Sequence, residues 1–197
     1  MANQFVISVS REVSSGGHDI AEIIAKHYGV PLYDKNILAE IGKEKGVDMS
    51  GFSGSDEKTV NVFTSRTVNG FNSSPEYALA HMQFDFIKEQ ADKGESFVIC
   101  GRCADYVLKD NPALVSIFIY ADEYNRTQST MRLQECSMPQ AIKINEKADK
   151  HRREYHNEYC KTKWGDMRNY DLCINSSCLG IDGTAQALID YIDKRKS

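Results

Sequence analysis

The sequence predicts an α/β fold in three layers, in which helices cover both faces of a parallel sheet of roughly five strands. Two observations lead to this prediction. Short apolar runs alternate with segments of helical spacing about five times along the chain, which is the pattern of strand-helix repeats. The chain also has 197 residues, 41% of them hydrophobic and 26% charged, and this is enough to bury a sizeable core. We expect one domain over residues 1–197.

The first elements surround a loop of small residues. Residues 5–10 form an apolar strand, and the segment after the loop has helical spacing over residues 17–28. Residues 30–34 predict a short strand, and residues 36–43 predict one or two helical turns. Residues 45–74 are polar and have no clear periodicity, which is typical of a functional insertion in a compact domain.

The second set of elements begins after residue 74. Ser74 and Pro75 are a capping hydroxyl and a proline at the first helical position, so a helix starts here and runs to residue 94. Its apolar spacing predicts that the buried side chains are Leu79, Met82, Phe86 and Ile87. The later apolar runs and helical segments predict strands at 97–100, 114–120 and 171–174 and helices at 122–135, 139–158 and 184–194.

The composition argues against several classes of protein. The net charge of −4 gives no general reason to expect a nucleic-acid partner, and no window approaches the roughly 20 apolar residues that span a membrane. The first residues lead into a strand rather than a signal peptide, so we expect a cytoplasmic protein. Cys100 and Cys103 have C-x-x-C spacing. No second pair completes a zinc set, which favours packing over metal or redox chemistry for these thiols.

The loop between the first strand and the first helix is a candidate cradle for phosphate. A helix start leaves backbone N–H groups without partners, and small residues let an anion approach them. The Walker pattern G-x-x-x-x-G-K-[ST] fits only in part, because Arg11 stands at its first glycine and Gly17 at its lysine. Arg11 could reach a phosphate or brace a neighbouring acid, and Asp19 could hold Mg²⁺ or stabilise the helix dipole. The candidates for phosphate binding are Ser14, Ser15, Gly16, Gly17, His18 and Asp19.

Polar residues also lie just past the predicted strand ends, where parallel sheets bind ligands. They are Arg11, Asp34, Arg102 and Asn175. Arg102 follows Gly101 and suits an anion, because a guanidinium holds two phosphate oxygens at once; a surface salt bridge is the alternative. Asp34 could act as a base or a metal ligand, or it could cap the helix that follows it.

A cationic segment lies in the second half of the chain. Residues 143–168 hold eight Lys or Arg against five Asp or Glu, while the rest of the chain has a balance of −7. Arg152 and Arg153 in this segment, with Arg126 and Arg132 on the preceding helix, could surround a migrating phosphoryl group when a hairpin closes. A solvated helix face is the alternative. The five histidines have no metal-binding spacing, and we expect them at the protein surface.

Together these segments resemble the cytidylate-kinase-like branch of the P-loop nucleoside monophosphate kinases. The loop has the Ser-Arg-Glu and Ser-Gly-Gly sequences of that branch, at residues 10–12 and 15–17. Further similar segments are 30–35, the Gly-Arg element within 99–102, 121–126, 150–155 and 164–172. The resemblance covers most of the chain, and residues 45–74 are its least anchored part.

The resemblance implies a P-loop kinase-like fold with a helical lid over residues 138–168 and an acceptor-side insertion over residues 45–74. It implies a phosphotransferase that uses ATP and Mg²⁺ and acts on a small phosphate-bearing acceptor, with CMP or dCMP as the leading candidates. The partners would be small-molecule nucleotides, with no indication of nucleic acid, membrane or a particular oligomeric state. The implied catalytic residues are Arg11, Asp34, Arg152 and Arg153, the implied nucleotide-binding residues are Ser14 to Asp19 and Arg126, and Gly101 and Arg102 would bind the acceptor.

Two residues depart from the pattern of these kinases. Gly17 stands where a full Walker loop has lysine, and Cys103 stands where cytidylate kinases follow Gly-Arg with aspartate. The missing lysine leaves open a nucleotide-binding regulatory module without catalysis, unless Arg11 or a lid arginine supplies the charge. Cys103 and the unassigned residues 45–74 leave open a kinase of a non-nucleotide metabolite.

Overall fold

The computed structural model describes residues 4–34, 37–45, 67–68, 71–72 and 75–196. Most of the insertion expected over residues 45–74 lies outside these ranges, so that expectation stays a prediction. The described part of it contains two short strands, β3 (Thr67–Val68) and β4 (Phe71–Asn72), which pair antiparallel to each other.

A five-stranded parallel sheet forms the centre of the molecule, as the sequence predicts. Its strands lie in the order β2-β5-β1-β6-β7, so β1 is the middle strand. The apolar side chains of β1 are fully buried because neighbouring strands and helices cover both faces. The strands are β1 (Val6–Arg11), β2 (Leu32–Tyr33), β5 (Phe97–Cys100), β6 (Leu114–Tyr120) and β7 (Leu172–Asn175).

Helices cover both faces of this sheet. α1 and α7 bury apolar side chains against one face, and α2, α3 and α4 bury theirs against the other, which gives the three layers. α5 and α6 form a hairpin beside the carboxyl ends of the strands. The helices are α1 (Gly17–Tyr28), α2 (Ile37–Lys45), α3 (Pro75–Asp92), α4 (Ala104–Val107), α5 (Glu123–Gln134), α6 (Met138–Tyr159) and α7 (Gly180–Lys196). None of the helices among the described residues is long and apolar enough to cross a membrane.

Three details differ from the sequence-based prediction. α4 was not expected, because a helix of four residues is too short to show periodicity. α7 begins at Gly180 rather than at residue 184, because glycines at 180 and 183 conceal its start. Met82 is 37% exposed rather than buried. The buried side of α3 extends from Phe86 towards Phe84, and Met82 lies beyond its edge.

The register of the sheet determines where the functional side chains emerge. Val9 of β1 pairs with Cys100 of β5, and the Gly101 amide donates a hydrogen bond to the Val9 carbonyl at 3.0 Å. The chain therefore leaves β1 and β5 side by side at the carboxyl ends of the strands. Arg11 is the last residue of β1 and Arg102 follows β5, so both lie at this end of the sheet, which is where ligands bind in parallel sheets.

Candidate functional site

The loop from Glu12 to Gly16 joins β1 to the start of α1. Ser14 and Gly16 have positive φ angles of 57° and 74°, while Ser15 between them does not. Such an alternation turns successive amide groups towards one side and makes a concave surface that suits anions. The first amides of α1 have no partner within the helix and lie beside this surface. This backbone geometry is compatible with the predicted phosphate cradle, and phosphate binding by the loop stays a prediction.

The serine side chains of the loop face the protein. The Ser15 hydroxyl donates to the Glu12 carbonyl at 2.9 Å. Thr130 donates to the Asn145 side chain at 2.6 Å, so the Ser14 hydroxyl is the donor in its 2.7 Å hydrogen bond to Thr130. Both hydroxyls are thus engaged in holding the loop. The main-chain amides are the groups that the loop can offer to an anion.

Gly17 lies directly against the side chain of Arg11. A Cβ atom built on Gly17 would be 2.7 Å from the Arg11 Cβ and 3.2 Å from its Cδ. No side chain fits at position 17 while Arg11 keeps this place. The departure from the Walker pattern therefore has a steric reason, because the stem of Arg11 occupies the space that a lysine at position 17 would need.

The loop is also held by the α5–α6 hairpin. The Val13 amide donates to Asp149 at 2.7 Å, and Arg126 Nε donates to the Val13 carbonyl at 2.9 Å. Arg126 also pairs with Glu12 at 3.0 Å and, through its other terminal nitrogen, with Asp149. In this structure Arg126 fixes the shape of the loop and does not line the groove beside it. Its role in binding nucleotide phosphates stays a prediction.

An open groove of about 610 Å³ runs along the loop, from the hairpin to the start of α7. Its floor is the loop and the exposed Asp19. Arg132 and Arg152 of the hairpin line it, and so does Arg11 at the end of β1. The apolar side chains of Leu133 and Ile181 also line it. This combination suits a ligand with a phosphate chain at one end and an apolar ring at the other.

A much smaller cavity of about 30 Å³ is also lined by Arg11, and we call it the inner cavity. Arg11, Arg102 and Arg152 line it together with His156, Trp164 and the aromatic ring of Tyr155. Arg11 and Arg152 line both the groove and the inner cavity. They are linked, because Arg152 Nη1 donates to the Arg11 carbonyl at 3.1 Å. These two arginines therefore stand where the two cavities meet.

The turn that delivers Arg102 into the inner cavity is strained. Gly101, Arg102 and Cys103 have consecutive positive φ angles of 81°, 60° and 54°. For the two residues with side chains this conformation costs about 1–2 kcal/mol each. Such strain is typical of ligand clamps, where the surrounding structure enforces it. The side chain of Arg102 is only 3% exposed as a result of this turn.

His156 is a site residue that the sequence placed wrongly at the surface. It is buried in the wall of the inner cavity, where its Nε2 lies 3.0 Å from Asp105 Oδ2. Burial lowers the pKa of its imidazole, but the hydrogen bonds and negative charges of Asp105 and Cys160 together outweigh burial and raise the pKa to about 10. His156 follows Arg152 by four residues and shares its helix face, and this spacing could have indicated a common site.

The other predicted site residues take different positions. Asp34 is buried and accepts a 2.8 Å hydrogen bond from His18 at the start of α1. Arg153 lies over the ring of Trp164, 5.6 Å from its centre, and lines neither the groove nor the inner cavity. Asn175 bonds Asp122 and the Ser177 amide, so its contacts are structural. The catalytic roles of Asp34 and Arg153 stay predictions.

Mg²⁺ is the metal ion that the resemblance implies. When it binds with a nucleotide, it takes one or two carboxylates and completes its shell with phosphate oxygens and water. Asp19 lies in the first turn of α1 and lines the groove, and Asp34 is tied to the same turn through His18. No group of three or more metal-ligating side chains comes together among the described residues. Asp19 is the accessible carboxylate that could take Mg²⁺ together with a nucleotide, and this role stays a prediction.

Comparison with known proteins gives a consistent result. A structure of an uncharacterized protein from Eubacterium ventriosum ATCC 27560 is 36% identical, with a TM-score of 0.76, and the match covers 96% of this chain and 99% of that one. A shikimate kinase from Bacteroides thetaiotaomicron is 12% identical, with a TM-score of 0.55, over 96% of this chain and 98% of that one. A gluconokinase from Sinorhizobium meliloti 1021 is also 12% identical, with a TM-score of 0.53, over 98% and 94%.

The last two identities are low, so these structures show a shared fold alone. No curated protein matches the chain. The model of the cytidylate kinase-like family matches residues 6–178, which is most of the chain. The protein belongs to the cytidylate kinase-like family.

Proposed function

We propose that this protein transfers the terminal phosphoryl group of ATP to a small phosphate-bearing acceptor, with CMP or dCMP as the first candidates. The observation that carries the proposal is that Arg11 and Arg152 line both the groove and the inner cavity. A phosphoryl group that passes from a donor in one to an acceptor in the other would move between these two guanidinium groups. Family membership supports a kinase of this general kind.

The proposed roles follow from what phosphoryl transfer requires. The reaction needs little covalent chemistry from the protein, because positioning and positive charge account for most of the catalysis. The amides of residues 14–19 hold the donor phosphates, and Arg102 with Gly101 holds the acceptor. Arg11 takes the place of the Walker lysine, and Arg152 neutralises charge on the migrating group from the proposed lid, residues 138–168. Asp19, with Asp34 nearby, would hold Mg²⁺, which would supply positive charge to the donor phosphates.

The experiment that tests this proposal measures ADP release from ATP and Mg²⁺ with a panel of acceptors. The panel contains CMP, dCMP, UMP, AMP, shikimate and gluconate, and each reaction has a control without acceptor. We expect ADP release that depends on an acceptor and is fastest with a pyrimidine nucleotide. Tight ATP binding without turnover of any acceptor would favour the alternative of a regulatory module without catalysis.

A second candidate function is a kinase of a non-nucleotide anionic metabolite. Cys103 favours it, because cytidylate kinases have aspartate after the Gly-Arg element and this chain offers a buried thiol there. A thermal-shift screen separates the two candidates, since a ligand that binds the native state raises the unfolding temperature. Stabilisation by small metabolites but by no pyrimidine nucleotide would select the second candidate.

A further inference from the structure

The inner cavity has an unusual balance of charge. Arg11, Arg102, Arg152 and His156 line it, none of its described lining residues carries a carboxylate, and Asp105 lies against His156 outside this lining. The other described side chains that line it are polar or aromatic and belong to Ser10, Cys103, Tyr155 and Trp164. Like charges repel strongly where water is excluded, so such a group of cations is stable when an anion lies among them.

His156 contributes charge to this group because of a buried partner. Its side chain is 5% exposed and that of Asp105 is 3% exposed, so each shields the other from water. Asp105 lies in α4, directly behind the strained turn that carries Arg102. A carboxylate at 3.0 Å in a buried setting stabilises the protonated imidazole. Cys160, four residues further along α6, also interacts with this imidazole and helps to keep it protonated, and the hydrogen bonds of Cys103 and His156 lower the pKa of the Cys160 thiol to about 7.

We propose that His156, held protonated by Asp105, is a specificity-determining residue of the acceptor side, and that it selects acceptors with a phosphate monoester dianion over acceptors with a single carboxylate. This inference rests on the proposed function and deepens it. It concerns a residue whose type and position the sequence did not connect with the site. The proposed preference depends on the charge of the acceptor group and on how many oxygen atoms it presents.

The physical reason lies in the charge that remains after Asp105 is counted. Asp105 offsets one of the cations, and a carboxylate ligand with one charge and two oxygens would offset one more. A phosphate monoester brings up to two charges and three terminal oxygens, so it accepts hydrogen bonds from several guanidinium groups at once. Removing the charge of His156 would lower the net positive charge of the cavity by one, and the remaining charge would suit a carboxylate ligand better.

The experiment compares His156→Gln with His151→Gln. Glutamine at position 156 keeps a side-chain donor and loses the charge, while His151 is an exposed residue of the same helix and serves as the matched control. We measure kcat and KM for CMP, dCMP, shikimate and gluconate at saturating ATP. We expect His156→Gln to lower kcat/KM for phosphate-bearing acceptors by about tenfold to a hundredfold, mainly through KM. The KM for ATP and the carboxylate acceptors should change little.

Asp105→Asn provides a second, independent change at the same pair. It removes the partner that keeps His156 protonated, so it should lower the preference for phosphate-bearing acceptors in the same direction. Where a single variant does not fold, the double variant Asp105→Asn with His156→Gln removes both buried charges and leaves two groups that can still form a hydrogen bond. The double variant should show the same loss of preference as the single variants.

Binding measurements keep this test separate from the test of catalysis. At pH 8 and constant ionic strength, inorganic phosphate should stabilise the native protein and the His151→Gln control, and acetate should not. His156→Gln should lose most of the stabilisation by phosphate. If no acceptor is turned over, the proposed function fails and the binding result still decides the role of His156. If carboxylate acceptors are turned over better than phosphate-bearing ones, or if His156→Gln keeps the native preference, the inference is wrong while kinase activity stands.

Discussion

The two sides of the site use arginine in different ways. On the side of the phosphate loop, Arg126 is bound by Glu12 and Asp149, so its charge is neutralised and it shapes the backbone. On the side of the inner cavity, Arg102 and Arg152 line a space whose described wall has no carboxylate. An arginine near a phosphate loop can therefore serve the fold rather than a ligand, because the carboxylates that hold Arg126 already neutralise its charge.

The largest expected effect tests the anion-binding side of this comparison. Arg152→Ala removes a cation that lines both cavities, and we expect kcat to fall by about 10³-fold, the range measured for arginines that stabilise a migrating phosphoryl group. Lys147→Ala is the control, because Lys147 is an exposed cation of the same helix. Steady-state kinetics with the best acceptor measures both variants. Equal losses in the two variants would mean that the charge of the whole helix, and not its position, matters.

The next effect tests the structural side. Arg126→Ala leaves Asp149 buried without its cation, and we expect the free energy of unfolding to fall by about 3 kcal/mol. The KM for ATP should rise because the Val13 backbone loses a hydrogen bond that holds the loop. Urea unfolding and ATP titration measure the two quantities. An unchanged stability with a large loss of kcat would make Arg126 a ligand-binding residue, as the resemblance implies.

The buried His156–Asp105 pair predicts how stability depends on pH. The folded-state pKa of His156 is raised from 6.5 to about 10, so its contribution is fully present below pH 6.5 and is lost as the pH rises through 10. Between pH 7 and 10 the stability advantage of the native protein over the double variant Asp105→Asn with His156→Gln should shrink by about 3 kcal/mol. Urea unfolding at several pH values measures it. A constant difference across this range would contradict a protonated His156.

The smallest effect tests why the loop lacks the Walker lysine. Gly17→Ala places a Cβ against Arg11, and we expect a loss of about 1 kcal/mol, because the overlap outweighs the better helix propensity of alanine. Arg11→Gly removes the atoms that collide with this Cβ. In that background Gly17→Ala should therefore be neutral or stabilising. A double-mutant cycle on thermal or urea unfolding gives the coupling. Additive effects would show that the two residues do not exclude each other.

The sequence was sufficient for most of the fold, because strands and long helices show their periods directly. It also indicated Arg11, Arg102 and Arg152 through their positions after strands and in a cationic helix. It could not separate Arg152 from Arg153, because adjacent residues point about 100° apart on a helix and only packing shows which one faces the site. His156 and the partners of Arg126 were missed for a related reason, since both depend on contacts between segments far apart in the chain.

We infer that the groove and the inner cavity form one continuous anion site, and that its two parts meet at Arg11 and Arg152. The most direct measurement is the affinity of a ligand in which adenosine and cytidine are joined through five phosphates, by isothermal titration calorimetry, beside ATP alone. We predict that the joined ligand binds at least about a hundredfold more tightly than ATP, because binding of its second nucleoside becomes intramolecular. Arg102→Ala should abolish this advantage and leave ATP binding unchanged. An equal affinity for the two ligands, or an advantage that survives Arg102→Ala, would contradict it.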